Sequence, residues 1–281
     1  LESKGVSGRV GIDLDPMALS PLLINATQGV EYAGISDLLR GMRYVKTGEE
    51  LAIMRRAAEL ADWAQGVFLS NLKIGRSCPE VSYLTLAELG KKAAKTYPQD
   101  KLELKVFCCG GPDSLNIPNA GQYYGRELTP GDTVINIIIC RMNGYAAEDE
   151  RTFVMGQPSQ EQADAFEAMR RANEAAAGAC VHGTPICELD RRATEVFRQA
   201  GYAQFIQHRA GHGIGLGGHE YPTDTAFNPN PLVTGAVMSS EPGIYIPGVG
   251  GFRHSDTVVV GPVSPEVITR FPRDLESLVV K

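Results

Sequence analysis

The chain repeats one order of elements, and that repetition limits its fold more than any other feature. Thr47 and Glu50 form a capping box ahead of Leu51, Met54, Ala58 and Ala61 at helical spacing, which predicts a long amphipathic helix. Gly75 breaks that pattern. Ser77-Cys-Pro-Glu80 reads as a second capping box, with Pro79 tolerated in the first turn, opening a helix to about Tyr97. Strand-like segments follow over residues 102–155. The clearest is Thr133-Val-Ile-Asn-Ile-Ile-Ile-Cys140, a β-branched run that implies burial on both faces.

Then the order recurs. Ser159-Gln-Glu-Gln162 caps a third helix to about Val181, and Gly183-Thr-Pro-Ile-Cys-Glu188 starts a fourth, echoing Gly75-Arg-Ser-Cys-Pro-Glu80. Strand patterns return over residues 203–260. Gly131-Asp-Thr-Val-Ile-Asn136 echoes Gly235-Ala-Val-Met-Ser-Ser240, and Gly144-Tyr-Ala-Ala-Glu148 sits where Gly251-Phe-Arg-His-Ser255 sits in the second half. The expected class is α+β: two helix-helix-strands halves join into a curved, mostly antiparallel sheet. Helices cover one face and leave the other concave for a ligand. Two separate α+β domains would need a linker, and none longer than a few residues divides the halves. Ahead of this region, residues 8–15 read as a buried strand ended by a turn, followed by a short helix and a polar connection to about Lys46.

With 281 residues the chain can bury a full core, and its 43% apolar and 21% charged composition is ordinary for a globular protein. A formal charge of -6 without a Lys/Arg run argues against a nucleic-acid groove or an anionic membrane surface. No apolar run approaches the roughly 20 residues needed to cross a bilayer, and no signal-peptide pattern is read. The six cysteines lack zinc-ribbon spacing and any CxxC, and most sit in apolar stretches. Reduced core thiols and a cytoplasmic location are therefore expected. The chain opens at Leu1 rather than Met, which suggests a trimmed product of a longer chain.

Chemistry concentrates in His208-Arg-Ala-Gly-His212-Gly-Ile-Gly-Leu-Gly-Gly-His219-Glu-Tyr-Pro222, followed by Glu241-Pro-Gly-Ile-Tyr245. This region gathers three of the five histidines, an arginine and a carboxylate among glycines that permit close backbone approach. The glycines argue against a regular strand and for an irregular ribbon presenting His212 and His219. Glu148 and Glu150, two apart on a strand, share a face, and that arrangement suits a bound cation. Asp149 between them is expected to face solvent.

Three blocks carry a resemblance to the creatinase, prolidase and methionine-aminopeptidase family, the pita-bread fold. They are Pro130-Gly-Asp132 leading to Gly144-Tyr-x-x-Glu148-x-x-Arg151-Thr-Phe153, the His208 to Pro222 block, and Glu241-Pro-Gly-Ile-Tyr245 leading to Gly251-Phe-Arg253-x-x-Asp256. The resemblance spans residues 43–260. It implies that residues 1–43 are the end of a truncated amino-terminal domain and residues 44–281 the catalytic domain. It also implies a homodimer whose amino-terminal domain closes the partner's pocket. Metallopeptidases of this family hold two divalent ions with two aspartates, one histidine and two glutamates. Carried over, the histidine is His212, the first glutamate Glu241 and the second aspartate Glu148; the first aspartate falls on Ile137 and the last glutamate on Ser255.

With two acids missing, the expectation is a metal-free site, closest to creatinase, with no cofactor. A single divalent ion on Glu148, His212 and Glu241 is the alternative. The expected function is hydrolysis of a C–N bond in a small amide, urea or guanidino substrate. The alternatives are a metal-dependent Xaa-Pro dipeptidase or aminopeptidase, and a non-catalytic peptide-binding module. Glu241 is expected to be the base, its pKa raised by desolvation, with His212 serving the leaving nitrogen. Glu148, Glu150, His219 and Arg253 are expected to contact a small-molecule or short-peptide substrate, Arg253 by forking onto its carboxylate. Two histidines of creatinase have no counterpart: one falls near Asn116 or Asn119, the other on Ser255, with His254 on the opposite strand face.

Overall fold

The computed structural model describes residues 8–13, 29–116 and 126–281. The short helix expected after residue 15 and the Asn119 position lie outside them. The chain divides into two compact units, with the boundary between Val45 and Lys46.

In the first unit, β1 (Gly8–Ile12) pairs in parallel with β2 (Val30–Gly34), Gly8 opposite Val30 and Ile12 opposite Gly34. No residue of β1 is buried, contrary to expectation, because a two-stranded sheet has no interior strand. Helix α1 (Ser36–Tyr44) occupies much of the expected polar connection. Its Asp37 and Arg43 stand at the ends that suit the helix dipole.

The second unit contains the repeated order. Helix α2 (Gly48–Asn71) opens on the full Thr47–Glu50 capping box. Helix α3 (Cys78–Thr96) has only half of the expected box: Ser77 accepts from the Glu80 amide, while the Glu80 carboxylate turns to Arg76 at 3.6 Å. Strand β4 (Thr133–Met142) is central. It pairs antiparallel with β3 (Leu102–Gly110) on one side and with β5 (Tyr145–Asp149) and β6 (Thr152–Met155) on the other. Being interior, it is buried nearly throughout.

Helices α4 (Gln160–Ala177, on a Ser159–Gln162 capping box) and α5 (Glu188–Gln199) open the second half. Its strands are β7 (Gly211–Gly213), β8 (Val237–Ser240), β9 (Gly243–Ile246), β10 (Gly250–Arg253) and β11 (Asp256–Val259). Strand β8 lies between β7 and β11, and β9 and β10 form a separate antiparallel pair. Glu150 and Ser255 stitch the halves together, exchanging backbone hydrogen bonds of 3.0 and 3.1 Å. Among the described residues no helix is long and apolar enough to cross a membrane.

Equivalent polar contacts tie helix to sheet in both halves. Asn136 donates to Gln65 of α2 at 2.7 Å, and Asn173 of α4 donates to the Ser240 carbonyl at 2.9 Å. Asn136 and Ser240 are the positions matched by the sequence echo, so both halves tie the same strand position to a helix. Since faces alternate along a strand, the residue after each points the other way. Ile137 and Glu241 are therefore equivalent, on the face away from the helices. The six cysteines are free thiols, five of them buried.

Candidate active site

Strand β5 and its continuation carry Glu148, Asp149 and Glu150, and alternation divides them between the two faces. Glu148 and Glu150 line a cleft; Asp149 points into the helix layer and is fully buried, 2.8 Å from Arg151. The expected exposure of Asp149 fails because α2 covers that face, with Gln65 donating to the Asp149 carbonyl at 3.1 Å. Glu148 accepts from Ser255 Oγ at 2.8 Å and from Ser239 Oγ at 3.4 Å.

Gly211 and Gly213 flank His212 and form the short strand β7, where an irregular ribbon was expected. Only glycine permits this approach: a Cβ at Gly211 would lie 2.1 Å from the Ser239 carbonyl oxygen, and one at Gly213 2.2 Å from that of Tyr221. His212 is thereby buried at the base of the site. Its Nδ1 bonds to the Gly213 carbonyl at 3.0 Å, and its Nε2 lies 3.3 Å from Glu241 Oε1 without a hydrogen-bond partner. His219 stacks on His212 with ring centroids 3.8 Å apart.

Arg253, at the end of β10, grips Glu150 through two contacts of 2.5 Å and stands 3.9 Å from Glu241. Burial favours its neutral form, but the Glu150 charge outweighs that and raises its pKa. The guanidinium fork expected to take a substrate carboxylate is thus already engaged. Asp256 does not reach it, being held by Arg151 at 3.0 Å and Arg273 at 2.9 Å.

All six sequence-derived site residues come together. Glu148, Glu150, His219, Glu241 and Arg253 line a cleft of about 110 Å³ above His212, with Phe107, Ile137 and Ile139 as its apolar wall. Sequence reasoning gave no role to Arg209, Ser239 or Tyr245. Arg209 lines the cleft, Ser239 reaches Glu148, and Tyr245 Oη lies 2.8 Å from His208 Nε2. Their signal was position within the quoted motifs, since each is an ordinary residue type. His254 takes no part: buried edge-on against Phe166 at 5.2 Å, neither ring nitrogen finds a partner. Asn116 ends the 3-10 turn Gly111–Leu115.

The electrostatics reverse one expectation. Burial alone would raise the Glu241 pKa, but the His212 and Arg253 charges outweigh it, and the group is held below its ordinary value. Burial and the neighbouring Glu241 charge instead raise Glu148. The two acids are thus pushed in opposite directions, Glu148 up and Glu241 down. Burial, helped by His212, pushes His219 down to about 4.

Glu148, His212 and Glu241 present ligand atoms within 4.8 Å of one another, a set that suits one divalent ion. The partnerless Nε2 supports that fit: with Nδ1 donating to a carbonyl, Nε2 is the nitrogen left to offer a lone pair to an ion beside Glu241. A cation, or a proton on the ring, must separate two facing acceptors. A second ion does not fit, because Ile137 offers no donor and Ser255 only a hydroxyl already directed at Glu148.

Comparison with known proteins agrees with this architecture. The chain is 31% identical to the Xaa-Pro dipeptidase of Pyrococcus furiosus over 245 residues, 87% of this chain and 68% of that protein. Its structure is similar to the prolidase from Pyrococcus horikoshii OT3, with a TM-score of 0.86, 26% identity, and coverage of 97% of this chain and 77% of that one. It is also similar to a dipeptidase from Mycobacterium ulcerans, with a TM-score of 0.85, 32% identity, and coverage of 98% and 72%. The fold is the pita-bread fold. The model of metallopeptidase family M24 matches residues 52–262, and the chain belongs to that family.

Proposed function

We propose that this chain hydrolyses a C–N bond in a small, peptide-like substrate, with Glu148, His212 and Glu241 gathered around a single divalent ion. The observation that carries the reading is the cluster itself, two carboxylates and an imidazole, all buried, whose ligand atoms lie within 4.8 Å. Relatives named as Xaa-Pro dipeptidase and prolidase support a dipeptide-sized substrate. So does a cleft of about 110 Å³, below the roughly 300 Å³ at which pockets take drug-sized ligands. These relatives favour a metal-dependent Xaa-Pro peptidase over the metal-free, creatinase-like hydrolase expected from the sequence.

When bound, a divalent ion supplies Lewis-acid polarisation and acidifies water. The side chains supply the rest. Glu241, kept ionised beside Arg253, accepts a proton from the attacking water and passes it to the leaving nitrogen. Neutral His219, whose Nδ1 accepts from Arg209, is left with its Nε2–H to donate to the substrate carbonyl as charge develops there. Phe107, Ile137 and Ile139 exclude water from one side of the bond, which strengthens each charged contact.

A metal-free relay through the same residues is the second reading, favoured by Ile137 and Ser255 at positions where the family resemblance expects acids. The test is Gly-Pro hydrolysis before chelation, after chelation, and after Mn²⁺, Co²⁺ or Zn²⁺ is returned. Loss on chelation with return on adding metal supports the first reading. Activity indifferent to chelator supports the second. No proline release under any condition sinks both for this substrate.

A further inference from the structure

We propose that Lys46 is a positioning residue for the stacked imidazoles of the site: through Glu220 it holds the loop from Gly213 to Glu220 in the conformation that keeps His219 against His212. The consequence for turnover rests on the hydrolase reading; the positioning stands on geometry. Lys46 and Glu220 are 174 residues apart in the chain, yet Nζ meets Glu220 Oε1 at 2.7 Å, the two side chains being 2% and 9% exposed. The other carboxylate oxygen, Oε2, accepts from the Gly217 amide at 2.9 Å. That bond closes residues 217–220 into a ring that carries His219. The Glu220 amide donates to the Gly213 carbonyl at 2.9 Å, and the same carbonyl meets His212 Nδ1 at 3.0 Å. One oxygen therefore fixes the loop end and orients the His212 ring.

Lys46 is itself anchored, its amide donating to the Gly235 carbonyl at 2.9 Å, just ahead of β8. Glycine makes room for the pair: a Cβ at Gly215 would lie 2.4 Å from Glu220 Oε1 and 2.7 Å from Lys46 Cε. The middle of the loop is held from the first half, where the Ala146 amide donates to the Gly215 carbonyl at 2.9 Å and Arg141 donates to the Leu216 carbonyl. The His219 end depends on Glu220 and on the Arg209 hydrogen bond of 3.2 Å. Two buried charges are costly unless they meet. Without the cation, Glu220 is a buried, unpaired carboxylate. The loop relieves that by turning Glu220 toward water, which carries His219 off His212.

The experiment pairs through-space NMR contacts between the His212 and His219 rings, recorded with diamagnetic Zn²⁺ present, with Gly-Pro kinetics in Mn²⁺. It compares the wild type with Lys46→Met and with Leu89→Ala, a core truncation on α3 that lowers stability without touching the ion pair. Lys46→Met is expected to lose the ring-to-ring contact and about tenfold or more in kcat, with KM little changed. Leu89→Ala should keep both. A contact absent from the wild type, a contact or a kcat that survives Lys46→Met intact, or equal losses in Leu89→Ala overturns the proposal. Should Lys46→Met fail to fold, Lys46→Gln, which keeps a donor toward Glu220 without the charge, is held to the same outcomes. If the wild type releases no proline, the hydrolase reading falls and the ring contact alone decides. If it releases proline while the ring contact ignores Lys46, the hydrolase reading stands and the positioning role falls.

Discussion

Ser255 donates its hydroxyl to Glu148 Oε1 at 2.8 Å, joining two residues that hold equivalent positions in the two halves of the sheet. The other equivalent pair is Ile137 and Glu241. Each half thus keeps one acid of the two that the family resemblance expects, Glu148 in the first and Glu241 in the second. Their combined charge offsets one dication. It leaves a pair of dications in mutual repulsion inside a low-dielectric cleft.

Restoring the missing acids should restore the second ion. The double variant Ile137→Asp/Ser255→Glu is expected to bind one more Mn²⁺ per chain than the wild type by calorimetric titration. Without metal it should be less stable by roughly 3 kcal/mol or more, because two further carboxylates are then buried and unpaired. Added metal should recover the loss by mass action. An unchanged stoichiometry counts against the charge argument.

Much of this arrangement was legible in the residues, for definite reasons. Capping boxes at Thr47 and Ser159 and the β-branched run before Cys140 are local signals, and each formed the element expected. The glycine-flanked His212 marked the site because close backbone approach permits nothing larger. What was not legible depends on partners distant in sequence. Asp149 is buried because α2 covers it, and Arg253 is occupied because Glu150 reaches it from the other half of the sheet. The Glu241 pKa falls because two charges outweigh its burial, a balance that no single strand reveals.

Glu241→Gln removes the proton acceptor while keeping its shape. Turnover of Gly-Pro is expected to drop by about a hundredfold or more, with a thermal midpoint within a few degrees of the wild type. Full activity in this variant would contradict the role given to Glu241.

His219 should remain neutral far into the acid range. Its pKa is lowered to about 4 from the ordinary 6.5, so the unfolded chain binds a proton between those values and the folded chain does not. Acidification through that window therefore works against folding. Imidazole NMR should show the ring titrating near 4, and Arg209→Gln should move it upward, since the Arg209 charge opposes protonation. A ring titrating near 6.5 would contradict this environment.

Arg151 is fully buried between Asp149 at 2.8 Å and Asp256 at 3.0 Å. Arg151→Met strands both carboxylates and should destabilise the fold by about 3–5 kcal/mol. Burial would raise Asp256, but Arg151 and Arg273 outweigh it and hold its pKa below the ordinary carboxylate range. That stability is present above the unfolded carboxylate value and is lost as pH falls through the folded one. Acid unfolding of Arg151→Met should therefore begin at higher pH, as followed by circular dichroism. An acid transition matching the wild type would contradict the pairing.

The most direct test of the single-cation site is the number of divalent ions that the wild-type chain holds. After chelation and exhaustive dialysis, calorimetric titration with Mn²⁺ should saturate at one ion per chain, and Glu148→Gln, His212→Ala and Glu241→Gln should each weaken that binding. Saturation at two tight ions per chain, in a cleft with only Glu148, His212 and Glu241 to share between them, would contradict it.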